Sequence, residues 1–224
     1  MTLYEPSHIE VGRPSKSKRV PKKTKRHSHQ IDIDGFVARQ RTYPTSKKDI
    51  LGRAVGRKTE AIFDATGGWG GDALHLCSQG FSLKISERNS ILAGFLSEAL
   101  DRLKKTDWAC VNKVSVPELI KADSIGVMRE PAFHDSVDCI YLDPMFPEKR
   151  KRTALAKKNM QVLHDLIGED DDQEMLFLAA YEACKRRVIV KRPDYAPSLG
   201  LSIGVHPSQV LQGKLMHYDI YLKH

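Results

Sequence analysis

The stretch Asp143-Pro144-Met145-Phe146 combines residue types and a spacing that could do chemistry. Proline has no backbone N–H and forces the residue before it out of the helical region, so Asp143 should end a strand in an extended conformation. A carboxylate and an aromatic ring three residues apart on such a turn can hold a planar amine. The carboxylate accepts a hydrogen bond from the N–H, and Phe146 stacks on the base. The alternative is a buried strand that ends in an ordinary polar turn.

A second group of polar residues follows the short apolar run at 61–63. Asp64 ends this predicted strand, and the turn Gly67-Gly68-Trp69-Gly70-Gly71 leads into a helix that stops at Gly80. A strand, a glycine-rich turn and a helix in that order form the first half of a Rossmann-like unit, in which glycines let the backbone approach a ligand closely. No Gly-Lys-Ser/Thr follows, as a P-loop requires, and the GxGxxG spacing of nicotinamide dehydrogenases is absent.

Two further acids come after the next predicted strands. Glu87 lies 23 residues after Asp64, near the offset of about 20 residues expected for an acid that binds ribose hydroxyls. Asp123 follows a weaker strand and could accept from an adenine amino group, although it could also simply cap a loop. Because ligands bind at the carboxyl ends of parallel strands, we expect these acids and Asp143 to lie along one rim of one sheet.

The elements that must position these residues alternate along the chain. The strand at 81–86 is followed by an amphipathic helix with apolar residues at helical spacing from Leu92 to Leu103. A β-branched strand runs from Arg187 to Lys191, and two strand-like runs at 208–211 and 217–222 indicate a terminal hairpin. This order predicts an α/β, Rossmann-like fold.

Residues 31–58 precede this unit and predict a strand and helix extension. Ile31, Ile33 and Phe36, together with a glycine, indicate a short strand or hairpin. A helix should follow from Ser46, the expected N-cap, to about Gly56. The main α/β domain is then expected at 59–224.

The positive charge is concentrated at the N-terminal end. The net charge is +8, yet residues 1–58 hold 15 Lys and Arg against 5 Asp and Glu, so the remainder is slightly acidic. Residues 1–30 contain no acid between positions 11 and 26 and too little apolar surface to fold alone, which predicts a mobile basic arm. Such an arm suits a polyanion such as nucleic acid, or it is a solubilising tail.

Two further basic groups flank the proposed chemistry, and we predict that they bind RNA phosphates. The first follows Phe146 directly and the second ends the strand that begins at Arg187. Their residues are Lys149, Arg150, Lys151, Arg152, Lys191 and Arg192. Phosphate contacts position a nucleic acid without reading its sequence. The alternative is a solvated charged face.

Composition restricts the class of protein. Hydrophobic residues make up 41% and charged residues 29% of the 224 residues, as in a globular domain. No apolar run approaches the ~18 residues of a membrane span, and we expect no signal peptide and no membrane partner. The four cysteines form no CxxC pair, so we expect no metal site and a reducing, cytoplasmic environment.

Two of these motifs carry a family resemblance. Asp64-x-Thr66-x-Gly68-x-Gly70, followed by Glu87, resembles the cofactor site of class I S-adenosylmethionine methyltransferases. The stretch from Asp143 to Phe146 resembles the Asp/Asn-Pro-Pro-Tyr/Phe motif of enzymes that methylate exocyclic amines, with methionine in place of the second proline. The resemblance implies a mostly parallel seven-stranded sheet with helices on both faces and a C-terminal antiparallel hairpin. It also implies that the first acid and the glycine turn hold the methionine part, the second acid the ribose and the third the adenine.

Longer strings narrow the resemblance. Asp64-Ala65-Thr66, Glu87-Arg88-Asn89, 141–147 and 190–197 together resemble the bacterial 16S rRNA (guanine-N2)-methyltransferases of the RsmJ type, from about residue 31 to the C-terminus. The resemblance implies methyl transfer from S-adenosylmethionine to the N2 amine of a guanine in 16S rRNA or in the 30S subunit. The residues it implies at the cofactor are Asp64, Gly68, Gly70, Gly71, Asp72, Glu87, Arg88, Asp123, Ser124 and Asp143.

The implied catalytic residues are Asp143, Pro144 and Phe146. The carboxylate, with the following backbone carbonyl, would accept the protons of the amine while the ring stacks the base, which must be unpaired or flipped out. Two alternatives remain open: an adenine-N6 methyltransferase acting on RNA or DNA, and a non-catalytic RNA-binding protein of ribosome assembly.

Overall fold

The computed structural model of the chain describes residues 30–146 and 172–223. The basic arm predicted at 1–30 therefore lies outside the described residues, except for Gln30. The basic run Lys149, Arg150, Lys151 and Arg152 lies outside them as well.

The described residues form one seven-stranded sheet. The strands are β1 (Ala61–Asp64), β2 (Ser82–Ser86), β3 (Glu118–Ile120), β4 (Cys139–Leu142), β5 (Arg187–Pro193), β6 (Gln209–Gln212) and β7 (Met216–Leu222). Their order is β3-β2-β1-β4-β5-β7-β6. The first five strands pair in parallel, whereas β7 runs antiparallel to both β5 and β6. The predicted fold, including the C-terminal hairpin, is confirmed.

Helices cover both faces of this sheet. They are α1 (Ile33–Thr42), α2 (Ile50–Val55), α3 (Gly71–Ser78), α4 (Ser90–Lys104), α5 (Asp107–Val111), α6 (Ser124–Arg129) and α7 (Gln173–Ala183). Helices α1 to α5 contribute to the hydrophobic core on one face, and α6 and α7 to the core on the other. All four residues of β4 are buried because this central strand is covered on both sides.

The strand order reverses between β1 and β4, and this determines where a ligand can bind. Strand β1 lies between β2 and β4, so the crossovers from it leave in opposite directions and open a crevice at the carboxyl ends of the strands. Asp64 is the last residue of β1, Glu87 follows β2 and Asp143 follows β4. The sheet therefore brings these three acids to one edge.

The strand or hairpin predicted near Ile31 is wrong, because this segment forms α1. Asp32 caps the helix, and its Oδ1 accepts a hydrogen bond from Gly35 N at 2.9 Å. The buried residues of α1 recur at the spacing of a helix face, namely Ile33, Phe36, Val37 and Gln40. This face packs against the core, and the ring of Phe36 meets that of Trp108 edge-on with 5.8 Å between the ring centres. This packing selects the helix.

The helix predicted from Ser46 exists but begins later. Asp49 is the N-cap of α2, and its Oδ1 accepts from Gly52 N at 2.7 Å. The Ser46 hydroxyl accepts from Lys48 N in the turn before the helix. No helix in the described ranges has the length and apolar character needed to cross a membrane.

Candidate active site

A cavity of about 430 Å³ lies at the carboxyl ends of the strands, within the size range of small-molecule sites. It is lined by every residue that the sequence predicted at the cofactor: Asp64, Gly68, Gly70, Gly71, Asp72, Glu87, Arg88, Asp123, Ser124 and Asp143. Pro144 and Phe146 line the same cavity. Residues spread over 83 positions of the chain thus meet at one site.

Thr66 connects the first acid to the proposed catalytic loop. Its backbone N–H and its hydroxyl both donate to Asp64 Oδ1, at 3.0 and 3.3 Å. The same hydroxyl accepts from the backbone N–H of Asp143 at 2.7 Å. The turn after β1 therefore fixes the start of the loop after β4.

Asp64 is almost completely buried, with 2% of its surface exposed. Burial raises its pKa to about 7, the bonds from Thr66 oppose this, and the nearby Asp72 and Asp143 carboxylates raise it further. A buried carboxylate among other carboxylates is poised to accept from a cation or from a hydroxyl group.

The raised pKa of Asp64 makes stability depend on pH in a direction that is unusual for an aspartate. In the unfolded chain the group ionises near pH 3.8, whereas the folded group keeps its proton to about pH 7. Between these values the folded state binds more protons, so its stability falls as the pH rises. We expect Asp64→Asn, which keeps an acceptor for Thr66, to raise the melting temperature of the ligand-free protein at pH 8. The rise should be about 2–4 °C for each kcal/mol gained in the free energy of unfolding.

Thermal melts of both proteins from pH 4 to pH 8 would measure this effect. The gain should shrink towards pH 4, where Asp64 is protonated in the folded chain and close to half protonated in the unfolded chain. Asp101→Asn, on the exposed face of α4, is the matched control and should show no such trend. The same gain at every pH would contradict the ionisation argument.

Glu87 organises the glycine turn. It is 6% exposed, and its two carboxylate oxygens accept from Gly68 N at 2.6 Å and from Asn89 N at 2.7 Å. Gly68 and Gly70 have φ values of +51° and +69°, which residues with a side chain rarely adopt. A carboxylate oxygen has room for a second hydrogen bond, so Glu87 can bind a ligand while it holds the turn.

An ammonium group lies among the acids of the cavity. Lys191 Nζ donates to Asp72 Oδ2 at 2.7 Å and to Asp143 Oδ2 at 2.8 Å. The Tyr141 hydroxyl donates to the same Asp72 oxygen at 2.6 Å. Burial raises the pKa of Asp143, Lys191 lowers it and Asp72 raises it, with a net value of about 6. Burial lowers the pKa of Lys191, but the two carboxylates outweigh this and hold it above its ordinary range.

The aromatic part of the proposed loop is held in place from α7. Gln173 Nε2 donates to the backbone oxygen of Met145 at 2.8 Å. Phe146 is half-buried against the core on that face of the sheet. Tyr195, after β5, lines the same cavity and is 40% exposed, so it provides a second aromatic ring at the opening.

The residues predicted at the adenine and ribose ends also take defined positions. Asp123 is the N-cap of α6, with its Oδ1 accepting from Ile125 N at 3.3 Å, and Ser124 is buried beside it. Arg88 Nη1 forms an ion pair with Asp172 Oδ2 at 2.6 Å, which links the β2 edge to the start of α7. The capping function that the sequence offered as an alternative for Asp123 is therefore real, and it coexists with a place on the cavity wall.

Comparison with known proteins identifies the family. The family described as "Putative SAM-dependent methyltransferase" matches residues 12–223. The chain belongs to this family. Among its relatives, the Ribosomal RNA small subunit methyltransferase J of Vibrio vulnificus is 36% identical over 197 residues, which cover 84% of this chain and 74% of the relative. The protein of the same name from Hydrogenovibrio crunogenus is 40% identical over 192 residues, covering 84% and 67%.

A solved structure supports the same assignment for this methyltransferase. The crystal structure of a SAM-dependent methyltransferase from Neisseria gonorrhoeae superimposes with a TM-score of 0.63 at 26% identity, over 86% of this chain and 74% of the other. The chain is thus a SAM-dependent methyltransferase with a class I fold, and its cofactor is S-adenosylmethionine.

The residues of the methyltransferase cavity fit this cofactor. The positive sulfonium and ammonium groups of the cofactor suit a wall that carries Asp64, Asp72 and Asp143. At Gly67 the turn packs directly on β2 and leaves no room for a side chain, since a Cβ there would lie 2.7 Å from Ile85 Cγ2 and 2.9 Å from Ser86 O. Gly68, Gly70 and Gly71 line the cavity without side chains, so a ligand can approach their backbone closely.

Lys191 and Arg192, the two residues of β5 that are predicted to contact phosphates, have different surroundings in the methyltransferase structure. Lys191 points into the cavity and Arg192 points to the opposite face, where its Nε bonds to the fully buried Asp219 at 2.6 Å. Their side chains are 14% and 11% exposed. Both cations are bonded to carboxylates inside the protein, which makes them less suited to phosphate contacts than solvent-exposed cations are.

Three features of this site were not recognised from the sequence. The sequence predicts a phosphate contact for Lys191, and it assigns no individual function to Tyr141 or Gly67. The two-residue period of β5 could have indicated Lys191, because Ile189 and Lys191 lie on the same face of that strand. The contacts of Tyr141 and Gly67 depend on other strands and helices, for which the local sequence holds no signal.

Proposed function

We propose that this methyltransferase acts on the N2 amine of a guanine in small-subunit ribosomal RNA, in the cytoplasm, where that substrate is made. The observation that carries the proposal is the position of Asp143 and Phe146 in one cavity with Asp64 and Glu87. An acceptor and an aromatic ring thereby adjoin the proposed nucleoside site. The names of the relatives, Ribosomal RNA small subunit methyltransferase J, support the substrate class.

The residues that would hold S-adenosylmethionine follow the order of the strands. Asp64 and the backbone of Gly68, Gly70 and Gly71 would hold the methionine part, assisted by Asp72. Glu87 would accept from the ribose hydroxyls beside Arg88. Asp123 and Ser124 would hold the adenine. When bound, the cofactor supplies a methyl group on a sulfonium sulfur, which departs as a neutral thioether.

The guanine amine is a weak nucleophile because its lone pair is delocalised into the ring. Asp143, with the backbone carbonyl that follows it, would accept hydrogen bonds from both N–H groups and so localise the lone pair. Phe146 would stack on the base and Pro144 keeps the loop rigid. Positioning of this kind supplies a large part of the barrier reduction, and N2 then releases one proton to water.

The shape of the site requires an exposed base. Residues of the loops after β4 and β5 line the cavity and the Asp143 side chain is only 34% exposed, so we do not expect a guanine stacked inside a helix to reach its carboxylate. Tyr195, half-exposed at this rim, offers a ring for the flipped base or its neighbour. The basic residues Lys149, Arg150, Lys151 and Arg152 follow Phe146 in the chain, and their contact with the RNA backbone stays a prediction.

The test is methyl transfer onto unmodified 16S rRNA and 30S subunits, followed by digestion and mass spectrometry of the nucleosides. We expect N2-methylguanosine. Methyladenosine would instead support the adenine-N6 alternative. Calorimetry with S-adenosylhomocysteine distinguishes the enzyme from the non-catalytic alternative. An RNA-binding protein that has lost its cofactor site should release no heat when S-adenosylhomocysteine is added.

A further inference from the structure

The cavity contains a charged triad that the sequence did not predict. Asp72, on the first turn of α3, and Asp143, after β4, both bind the ammonium of Lys191 on β5, at 2.7 and 2.8 Å. The triad joins three elements that are separated by up to 119 positions in the chain. Only 14% of the Lys191 side chain is exposed, so the ammonium is directed inward and is not a surface charge.

The two oxygens of Asp143 differ in their surroundings. Oδ2 accepts from Lys191, whereas no donor within residues 30–146 and 172–223 reaches Oδ1. The side chain of Asp143 is 34% exposed, towards the cavity. Lys191 therefore occupies one oxygen and leaves the other for a ligand.

We propose that Lys191 is a positioning residue for methyl transfer, whose ammonium keeps the Asp143 carboxylate ionised and turned so that its free oxygen faces the target amine. This inference rests on the proposed function of Asp143 as the acceptor. Lys191 acts through Asp143 and does not itself touch the base.

The charges around Asp143 explain why a cation is needed there. The titratable groups that face it are Asp64 on β1, Asp72 on α3, Tyr141 on β4, Lys191 on β5 and Tyr218 on β7. Two of these are carboxylates, and burial also disfavours the charged form of Asp143. Lys191 opposes both effects, and Asp72, held by the Tyr141 hydroxyl, keeps the ammonium in place.

Lys191→Met removes the charge but retains the length of the side chain. Losing a cation in direct contact should raise the pKa of Asp143 by about 1–3 units from its value near 6, so less of the carboxylate is ionised at neutral pH. We expect kcat at pH 7 to fall by about 2- to 100-fold, in proportion to the ionised fraction of Asp143. The acid limb of the kcat–pH profile should move to higher pH, with much of the activity recovered at pH 9. Lys191→Arg, which keeps the charge, should retain the wild-type profile.

A direct readout does not depend on turnover. In protein with ¹³C-labelled aspartate carboxyl groups, the Asp143 signal, assigned by its loss in Asp143→Asn, should titrate near pH 6 in the wild type and clearly higher in Lys191→Met. Lys84→Met, on the exposed face of β2, is the matched control and should change neither measurement. Binding of S-adenosylhomocysteine and the melting temperature check that the variants are folded. Lys191→Gln is a second uncharged variant and should give the same shifts as Lys191→Met.

The outcomes separate this inference from the proposed function. An unchanged Asp143 titration, or a loss of kcat that is equal at every pH, would overturn the positioning role of Lys191. A wild-type protein that methylates no ribosomal RNA, yet shows the shifted titration in Lys191→Met, would instead overturn the proposed substrate.

Discussion

Asp143→Ala is expected to abolish methyl transfer, with kcat falling by about 10³-fold or more, while RNA binding stays nearly unchanged. The substitution removes the acceptor for the target amine and one of the two carboxylates that hold Lys191. The backbone of the loop should persist, because the bond from residue 143 N to the Thr66 hydroxyl and the bond from Gln173 to Met145 O involve no side-chain atom of Asp143.

The measurement is transfer of a tritiated methyl group onto 16S rRNA or 30S subunits, with filter binding of the same RNA. Glu118→Ala, whose side chain is 67% exposed on β3, is the control for loss of a carboxylate and should be fully active. Wild-type turnover in Asp143→Ala would remove this residue from the mechanism. Loss of RNA binding in parallel with turnover would show that Asp143 serves binding and not chemistry.

Gly67→Ala is expected to damage the cofactor site, because the added methyl group meets the backbone of β2. The new Cβ would lie 2.9 Å from Ser86 O and 2.7 Å from Ile85 Cγ2. The first is a backbone atom of β2 and cannot rotate away, so the turn itself must move. That movement weakens the bond from Gly67 N to Ser86 O and displaces Gly68 N from Glu87.

Overpacking of this kind costs about 1–3 kcal/mol of folding free energy. We expect the melting temperature to fall by several degrees, and the affinity for S-adenosylhomocysteine in calorimetry to weaken by at least about tenfold, which corresponds to 1.4 kcal/mol. Gly94→Ala is the matched control, because a Cβ at this position of α4 meets no atom within 4 Å and alanine favours the helix. Equal affinities for S-adenosylhomocysteine in the two variants would contradict the importance of the close packing between Gly67 and β2.

The acids of the site are unfavourable for folding and useful for binding. Asp72 is close enough to raise the pKa values of Asp64 and Asp143, Asp143 also raises that of Asp64, and Lys191 balances only part of this negative charge. A cofactor with a sulfonium and an ammonium group supplies the missing positive charge. This is why Asp64→Asn should stabilise the ligand-free protein at pH 8 although it removes a proposed cofactor contact.

The sequence by itself determined where the chemistry-bearing residues stand within their elements. A proline directly after Asp143, glycines that begin three residues after Asp64 and an acid directly after β2 all mark strand ends, and local backbone rules are sufficient to recognise them. The parallel strand and helix order then places these ends at one edge of the sheet. For that reason Asp64, Glu87, Asp123 and Asp143 line a single cavity, and the residues that only the family resemblance implied, Gly71, Asp72, Arg88 and Ser124, line it as well.

The tertiary structure alone decided which contacts those residues make. The α1 segment was misassigned because Ile31 and Ile33 also fit a strand period, and only burial against the core selects the helical face of Phe36 and Val37. Lys191 and Arg192 are adjacent cations in the sequence, yet alternation along β5 turns one towards Asp72 and Asp143 and the other towards Asp219. The partners of a side chain depend on elements distant in the chain, and only their packing brings those elements together.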